Sequence, residues 1–432
     1  MPGKAALQSH VIKFTNCRIV RGDDLVNQDV WIDSTSGKIL QAQEAFYGLH
    51  LSPDEVIDLG GRTLAPGLID CQLNGAQGFD FSIPQSSKEE YDEGLRVVNK
   101  GLARTGVTSY LPTVISSTAE VYHKVLPSLG PTGSKHRPED GAESLGAHVE
   151  GPFLSPGRNG IHKTDVLRSA TTADDLVDCY GRENLYGATK TIRLMTAAPE
   201  VGKMMSNIPH IVSNDIIYSI GHSDATYEQA LAAIDQGATM VTHLFNAMRP
   251  FYHRNPGIFG VLGQNSEHRR RPFYGIIADG IHLHPTSIRI AYNAHPDGLV
   301  LVTDAMKLCG LPDGIYDWTN GERIVKTGAR LTLEGSDKIA GSSATLIECV
   351  NNFRRWSGAS TAQALNAASA TPARLLGLQG VKGSLDSGAD ADLLVLSDED
   401  DPYSGRTLKV NQVWKRGSKI YDSSKDAGEV SF

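Results

Sequence analysis

Along the middle of the chain, short apolar runs alternate with stretches of helical pattern. The runs cover residues 68–74, 107–113, 145–150, 191–196, 216–222, 239–243, 273–279 and 299–304. Helical segments such as 88–103 and 225–236, the latter closed by Gly237, lie between them. Strands that alternate with helices imply a parallel sheet. Eight such units within about 240 residues predict a TIM (β/α)8 barrel, an α/β fold whose strands aim their C-terminal ends at the active site.

The two ends of the chain read differently. Residues 11–20, 29–33, 38–40 and 55–59 are short runs with alternating apolar and polar positions, separated by Gly, Asp and Asn, as in a small antiparallel sheet. Gly60-Gly61 and Pro66-Gly67 then punctuate the chain. Residues 391–396, 410–414 and 419–421 offer matching pieces near the C-terminus. Both ends are therefore expected to pair into one small β-sandwich domain, from 1–64 and 385–432, around a barrel domain at 65–384. The polar stretch from Ser423 to Phe432 is expected to fray.

Composition narrows the partners. The chain has 432 residues, 40% apolar and 21% charged, which is the balance of a globular protein. A net charge of −8 argues against nucleic acid and against an anionic membrane surface. An anionic ligand would need a local cluster of Arg, His and backbone N–H groups. Cys17, Cys71, Cys179, Cys309 and Cys349 are scattered and form no C-x-x-C pair, so reduced thiols are expected rather than disulfides or a thiolate zinc site. The first residues lack the 7–15-residue apolar core of a signal peptide. No stretch approaches the roughly 18 apolar residues of a membrane span. A cytoplasmic location is expected.

The candidate chemistry sits at the strand ends. Gln72 and Asn74, Glu150, His222, His243, Asp279 with His282, and Asp304 all fall at or just past the end of an apolar run. Taken singly they are ambiguous: His243 serves as readily as a hydrogen-bonded core histidine, and Asp304 as readily as a helix cap. Taken together they exceed what packing asks for, since turn residues would suffice there. Glu150, His222 and His243 supply one carboxylate and two imidazoles, a set that holds a catalytic divalent metal and leaves a position open for water. Zinc suits it, and iron, cobalt or manganese are compatible with the same ligand types. Such an ion lowers the pKa of water and polarises a carbonyl. Asp304 is then placed as the general base that takes a proton from that water and passes it to a departing amine.

Residues 60–390 resemble the amidohydrolase superfamily and, within it, the N-acetylglucosamine-6-phosphate deacetylases. Ala65-Pro-Gly-Leu-Ile-Asp70 is shared across the superfamily; the Gln72-Leu-Asn74 that follows, where many relatives carry His-x-His, matches the deacetylases. Further matches are His148-Val-Glu-Gly-Pro-Phe153, Asn159-Gly-Ile-His162, Gly221-His-Ser223, Thr242-His-Leu-Phe-Asn-Ala-Met248, Arg254-Asn-Pro-Gly257, Ile277-Ala-Asp-Gly-Ile-His282, Val302-Thr-Asp-Ala305 and Ala340-Gly-Ser-Ser343. The resemblance implies removal of the acetyl group from N-acetylglucosamine 6-phosphate, in amino-sugar catabolism and recycling. It implies that Glu150, His222 and His243 hold one metal ion and that Asp304 is the catalytic acid/base. Ile161, His162, Asn246, Ala247, Arg254, Asp279, Gly280, Ile281, His282, Ile339, Ala340 and Gly341 are implied to contact the sugar phosphate. Gln72 and Asn74, which replace the imidazoles of a second metal site, are expected behind the first ion. The family also implies a homodimer in which the neighbouring subunit contributes a phosphate contact, with Arg254 the residue best suited to it.

Two other readings compete. A cyclic-amide hydrolase of the same superfamily usually pairs two metals through His-x-His, which Gln72 and Asn74 replace. A catalytically silent scaffold has no use for the complete ligand set and Asp304. Residues 307–318, after Asp304, match no motif of the family. Residues 128–143, rich in Pro, Gly, Ser and charge, read as a surface insertion.

Overall fold

The computed structural model describes residues 9–48, 51–264, 271–318, 321–401 and 405–426. Eight parallel strands follow one another around a barrel: β1 (Leu68–Leu73), β2 (Val107–Ile115), β3 (Ala147–Glu150), β4 (Ile192–Ala197), β5 (Ile217–Ile220), β6 (Met240–Val241), β7 (Phe273–Ile277) and β8 (Leu299–Val302). Each lies within, or adds a residue or two to, one of the apolar runs read from the sequence. The ring closes where β8 returns to β1: Asp304 N–H donates to Gln72 O at 2.8 Å, and Asn74 N–H to Ala305 O at 2.9 Å. The strands read as continuous apolar runs because side chains pack on both faces of the sheet. Ile69, Cys71, Leu111, Leu194, Met240 and Val300 belong to one buried cluster, while a larger one joins strands to the surrounding helices.

Local signals set the helix starts. Helix Lys88–Arg104 begins at Ser87, whose side chain accepts from Glu90 N–H. Helix Tyr227–Asp235 begins later than the pattern from Ala225 predicts, because Thr226 and Gln229 form a reciprocal capping box.

Both chain ends build the small β-sandwich. In one sheet, Val11–Thr15 pairs with Val30–Asp33 and Glu55–Asp58. In the other, Leu393–Asp401 lies between Thr63–Pro66 and Gly405–Lys415. Phe14, Ile32, Leu64 and Leu393 fill the space between the sheets, and the ring of Trp414 meets Phe14 edge-on at 5.1 Å. The fold is thus a TIM barrel with a small β-sandwich.

At the junction with the barrel, three carboxylates and four cationic side chains interlock. Lys415 Nζ, fully buried, donates to Glu143 Oε1 and Asp392 Oδ2 at 2.7 Å and to Thr108 O at 2.9 Å. Lys382 bonds Asp390, Asp392 and Glu143, Lys38 bonds Asp390, and Arg416 reaches Glu143. Glu143 lies in a two-residue strand paired near the start of β2, so this cluster belongs to the N-terminal end of the barrel.

Three expectations change. Residues 128–143 are only partly a surface insertion: Lys135, Arg137 and Glu139 are exposed, but His136 and Glu143 are buried because they face the ion cluster. After Asp304 the chain forms an antiparallel sheet of Gly314–Asp317, Arg323–Thr327, Arg330–Leu333 and Ile339–Ser342, whose first strand lies within the 307–318 segment, where a loop is expected. Ser423–Asp426 is a short helix rather than a frayed end, and the rest of that stretch, 427–432, lies outside the described residues.

Candidate metal centre and active site

The C-terminal ends of the strands gather the chemistry. Glu150 ends β3, His222 and His243 lie two residues beyond β5 and β6, and Asp304 lies two beyond β8; Glu150, His222 and His243 are buried, and Asp304 is half-buried at the floor of the site. His222, His243 and Asp304 have φ of 49°, 26° and 47°. Left-handed backbone at non-glycine residues costs on the order of 1–3 kcal/mol each and collects at functional sites. Here it occurs where three of the strand ends turn.

Glu150 Oε1 lies 3.0 Å from His222 Nε2 and 3.0 Å from His243 Nε2, and the two imidazole nitrogens are 3.0 Å from each other. The tautomer of His222 follows from its other nitrogen: Nδ1 faces Arg158 O at 2.8 Å, and a carbonyl only accepts. His222 therefore carries its proton on Nδ1 and turns the Nε2 lone pair toward a carboxylate. A lone pair and an anion at that separation repel unless a proton or a cation lies between them. The bare site shows the same demand: burial disfavours the imidazolium of His243, yet the hydrogen bond and charge of Glu150 outweigh it and raise the His243 pKa. One carboxylate and two imidazoles around a point that calls for positive charge fit a divalent metal.

His162 lies close enough to be mistaken for a ligand, since it, Glu150 and His222 place donor atoms within 4.8 Å of one another. Its hydrogen bonds argue otherwise. Ser116 N–H donates to His162 Nδ1 at 3.2 Å, which leaves the ring proton on Nε2. Burial pushes its pKa down to about 3, so the ring is neutral. His162 is a hydrogen-bond donor.

The two amides that stand in place of imidazoles each hold a carboxylate. Gln72 Nε2 donates to Glu150 Oε1 at 3.0 Å and Asn74 Nδ2 to Asp304 Oδ1 at 2.7 Å. Burial first, and then the negative charge of Glu150, pushes Asp304 up to about 6. Both oxygens of Asp279 are engaged: Oδ1 accepts from the N–H groups of Ile281 and His282, and Oδ2 pairs with His282 Nδ1 at 2.7 Å. Burial opposes charging of His282, but Asp279 outweighs it and holds the imidazole above its ordinary pKa.

A cavity of about 250 Å³ opens over these groups. Of the residues predicted from sequence, Asn74, Glu150, Ile161, His162, His222, His243, Asn246, Ala247, His282, Asp304, Ile339 and Gly341 line it. Gln72 lies behind Glu150, and Asp279 behind His282. Gly280, Ile281 and Ala340 flank lining residues without lining the cavity themselves, and Arg254 is exposed on the loop that follows Met248. Ile115, Gly160 and Met306 line the cavity and were missed. Ile115 was within reach, because the apolar pattern of β2 continues through Val114; Met306 carries no polar signal.

Comparisons with known proteins give the family. The model of the amidohydrolase family matches residues 63–421. The N-acetylglucosamine-6-phosphate deacetylase of Bos taurus is 44% identical over 92% of this chain and 94% of that protein. The crystal structure of the deacetylase of the same name from Pasteurella multocida superposes with a TM-score of 0.78 at 27% identity, covering 95% of this chain and 99% of that one. A mutant of the Mycobacterium smegmatis deacetylase, solved in complex with N-acetyl-D-glucosamine-6-phosphate, superposes with a TM-score of 0.74 at 28% identity over 95% and 99% of the two chains.

Proposed function

The chain belongs to the amidohydrolase family, among its N-acetylglucosamine-6-phosphate deacetylases, and from that premise we propose how its own residues carry out the hydrolysis. The reaction takes N-acetyl-D-glucosamine 6-phosphate and water to D-glucosamine 6-phosphate and acetate. The observation that carries the reading is the convergence of Glu150, His222 and His243 at 3.0 Å beside a half-buried Asp304.

Glu150, His222 and His243 would hold one divalent ion, zinc by preference, with iron, cobalt or manganese as substitutes. When bound, the ion supplies Lewis acidity, lowering the pKa of water and polarising the amide carbonyl. Asn74 fixes one oxygen of Asp304 and leaves the other for proton transfer. Asp304 takes a proton from the attacking water as the new C–O bond forms, then delivers it to the nitrogen as the C–N bond breaks. A carboxyl with a pKa near 6 is matched to giving and taking a proton near neutrality. His162 donates its Nε2–H to a substrate oxygen, and His282, whose imidazole Asp279 holds above its ordinary pKa, borders the substrate.

Asn246 and Ala247 border the sugar. The cavity lining contains no Lys or Arg among the described residues, so the phosphate needs a cation from elsewhere. Arg254, exposed on its loop, is suited to reach the site of a second subunit in a cytoplasmic homodimer. Acetate release from N-acetylglucosamine 6-phosphate, its C4 epimer, the unphosphorylated sugar and a cyclic ureide tests the assignment. The first is expected to have the highest kcat/KM, and preference for the sugar without phosphate or for the ureide contradicts it.

A further inference from the structure

We propose that Met306 and Ile115 form a rigid stop that restricts the acyl group at this site to the size of acetyl. The inference rests on the hydrolysis proposed above and names what selects the acyl half of the substrate. Five apolar residues line the cavity. Ile161 and Ile339 are 62% and 45% exposed and sit at its mouth, whereas Met306 is 7% exposed and lies deep. Ala247 follows Asn246 on the sugar side. The carbonyl carbon must come within reach of both the Glu150–His222–His243 group and Asp304, and the acyl chain begins one bond from that carbon.

The apolar residues adjoining those two groups are the ones sequence reading missed. Ile115 is the direct strand neighbour of Glu150 in the register of β2 and β3. Met306 follows Asp304 by two residues, and its Sδ is 3.8 Å from Asn74 Nδ2, the amide that holds Asp304.

A methionine ordinarily adapts its shape to what binds beside it. Met306 is held on several sides. Its N–H donates to Ser342 O at 2.8 Å. A Cβ on Gly341 would lie 2.8 Å from Met306 Cγ, so residue 341, with φ of +115°, has no room for a side chain. Beyond it, Leu308, Ile324 and Leu331 form the core of the inserted antiparallel sheet, which thus backs Met306 from behind. The sheet, whose first strand lies in the 307–318 segment that matched no motif, acquires a role: it holds the end of the acyl pocket in place.

The test compares N-acetyl, N-propionyl and N-butyryl glucosamine 6-phosphate on wild type, Met306→Ala, Ile115→Ala and, as a control at the mouth, Ile161→Ala. Wild type should lose about 10–200-fold in kcat/KM per added methylene. Met306→Ala and Ile115→Ala should bring the propionyl compound to within about threefold of acetyl, while Ile161→Ala keeps the wild-type ratio. Calorimetric binding of the same series to Asp304→Asn protein should show the same ordering without turnover. Two folded pocket variants with the wild-type acyl ratio would overturn the proposal, as would a wild type that accepts butyryl as readily as acetyl. A wild type inactive on the acetyl compound would instead overturn the deacetylase reading, and the calorimetric series would still decide whether the stop exists.

Discussion

Two buried clusters of charge sit at opposite ends of the barrel strands, and each gathers three acidic side chains or more than one acid with histidines. At the N-terminal end, Glu143, Asp390 and Asp392 place their oxygens within 4.8 Å of one another, a spacing that could also suit a metal. There the protein supplies its own cations, Lys38, Lys382, Lys415 and Arg416. At the C-terminal end, Glu150 and Asp304 meet His222, His243 and His162, and the cavity lining includes no Lys or Arg among the described residues. Acidic convergence alone therefore does not mark a metal centre. What marks it is the missing counter-charge, together with imidazole lone pairs aimed at the gap and left-handed backbone at the strand ends. The first cluster joins the β-sandwich to the barrel, and the second is arranged for chemistry.

The comparison breaks most visibly at Asp304. Asp304→Asn should retain the metal and the fold but lose kcat by on the order of 10²–10⁴, the usual worth of a general acid/base. Near-wild-type turnover would make Asp304 structural and dissolve the contrast between the two ends.

At the other end the effect should fall on stability. Lys415→Met takes from Glu143 and Asp392 the more deeply buried of the two lysines they share, and breaking such a buried pair costs about 3–5 kcal/mol. Denaturant unfolding would measure it, while kcat of the folded protein should stay close to wild type. A smaller effect follows with pH. Burial works against ionisation of Asp392 and Glu143, but Lys415 and Lys382 outweigh it and hold both pKa values below the ordinary 3.8 and 4.5. Their contribution is then fully present above those values and is lost as pH falls through the depressed ones. Wild type should lose stability progressively below about pH 4, and Lys415→Met should show a shallower acid slope. An unchanged slope would mean the cluster is not the source.

The barrel was legible because parallel strands packed on both faces leave long apolar runs, and because polar residues such as Glu150 and His243 interrupt those runs at one end only. That Glu150, His222, His243 and Asp304 share one end of the barrel could be read for the same reason. The cavity's apolar wall could not: Ile115 and Met306 look like any core residue until the strands are brought together. Glu143 was hidden differently, since its segment is polar and rich in Gly and Pro, and nothing local says that Lys382 and Lys415, more than 230 positions away, will bury it. The sheet at 314–342 escaped because its strands are four or five residues long and half exposed, with little periodicity to detect.

The most direct measurement is metal content by elemental analysis of protein purified without added metal, for wild type, Glu150→Gln and Lys415→Met. About one divalent ion per chain is expected in wild type, since a catalytic centre of this kind needs only the three ligands named. That ion should be lost in Glu150→Gln and kept in folded Lys415→Met. Two well-occupied ions per chain, or an ion that survives Glu150→Gln and disappears with Lys415→Met, would contradict the assignment of the metal to the C-terminal cluster.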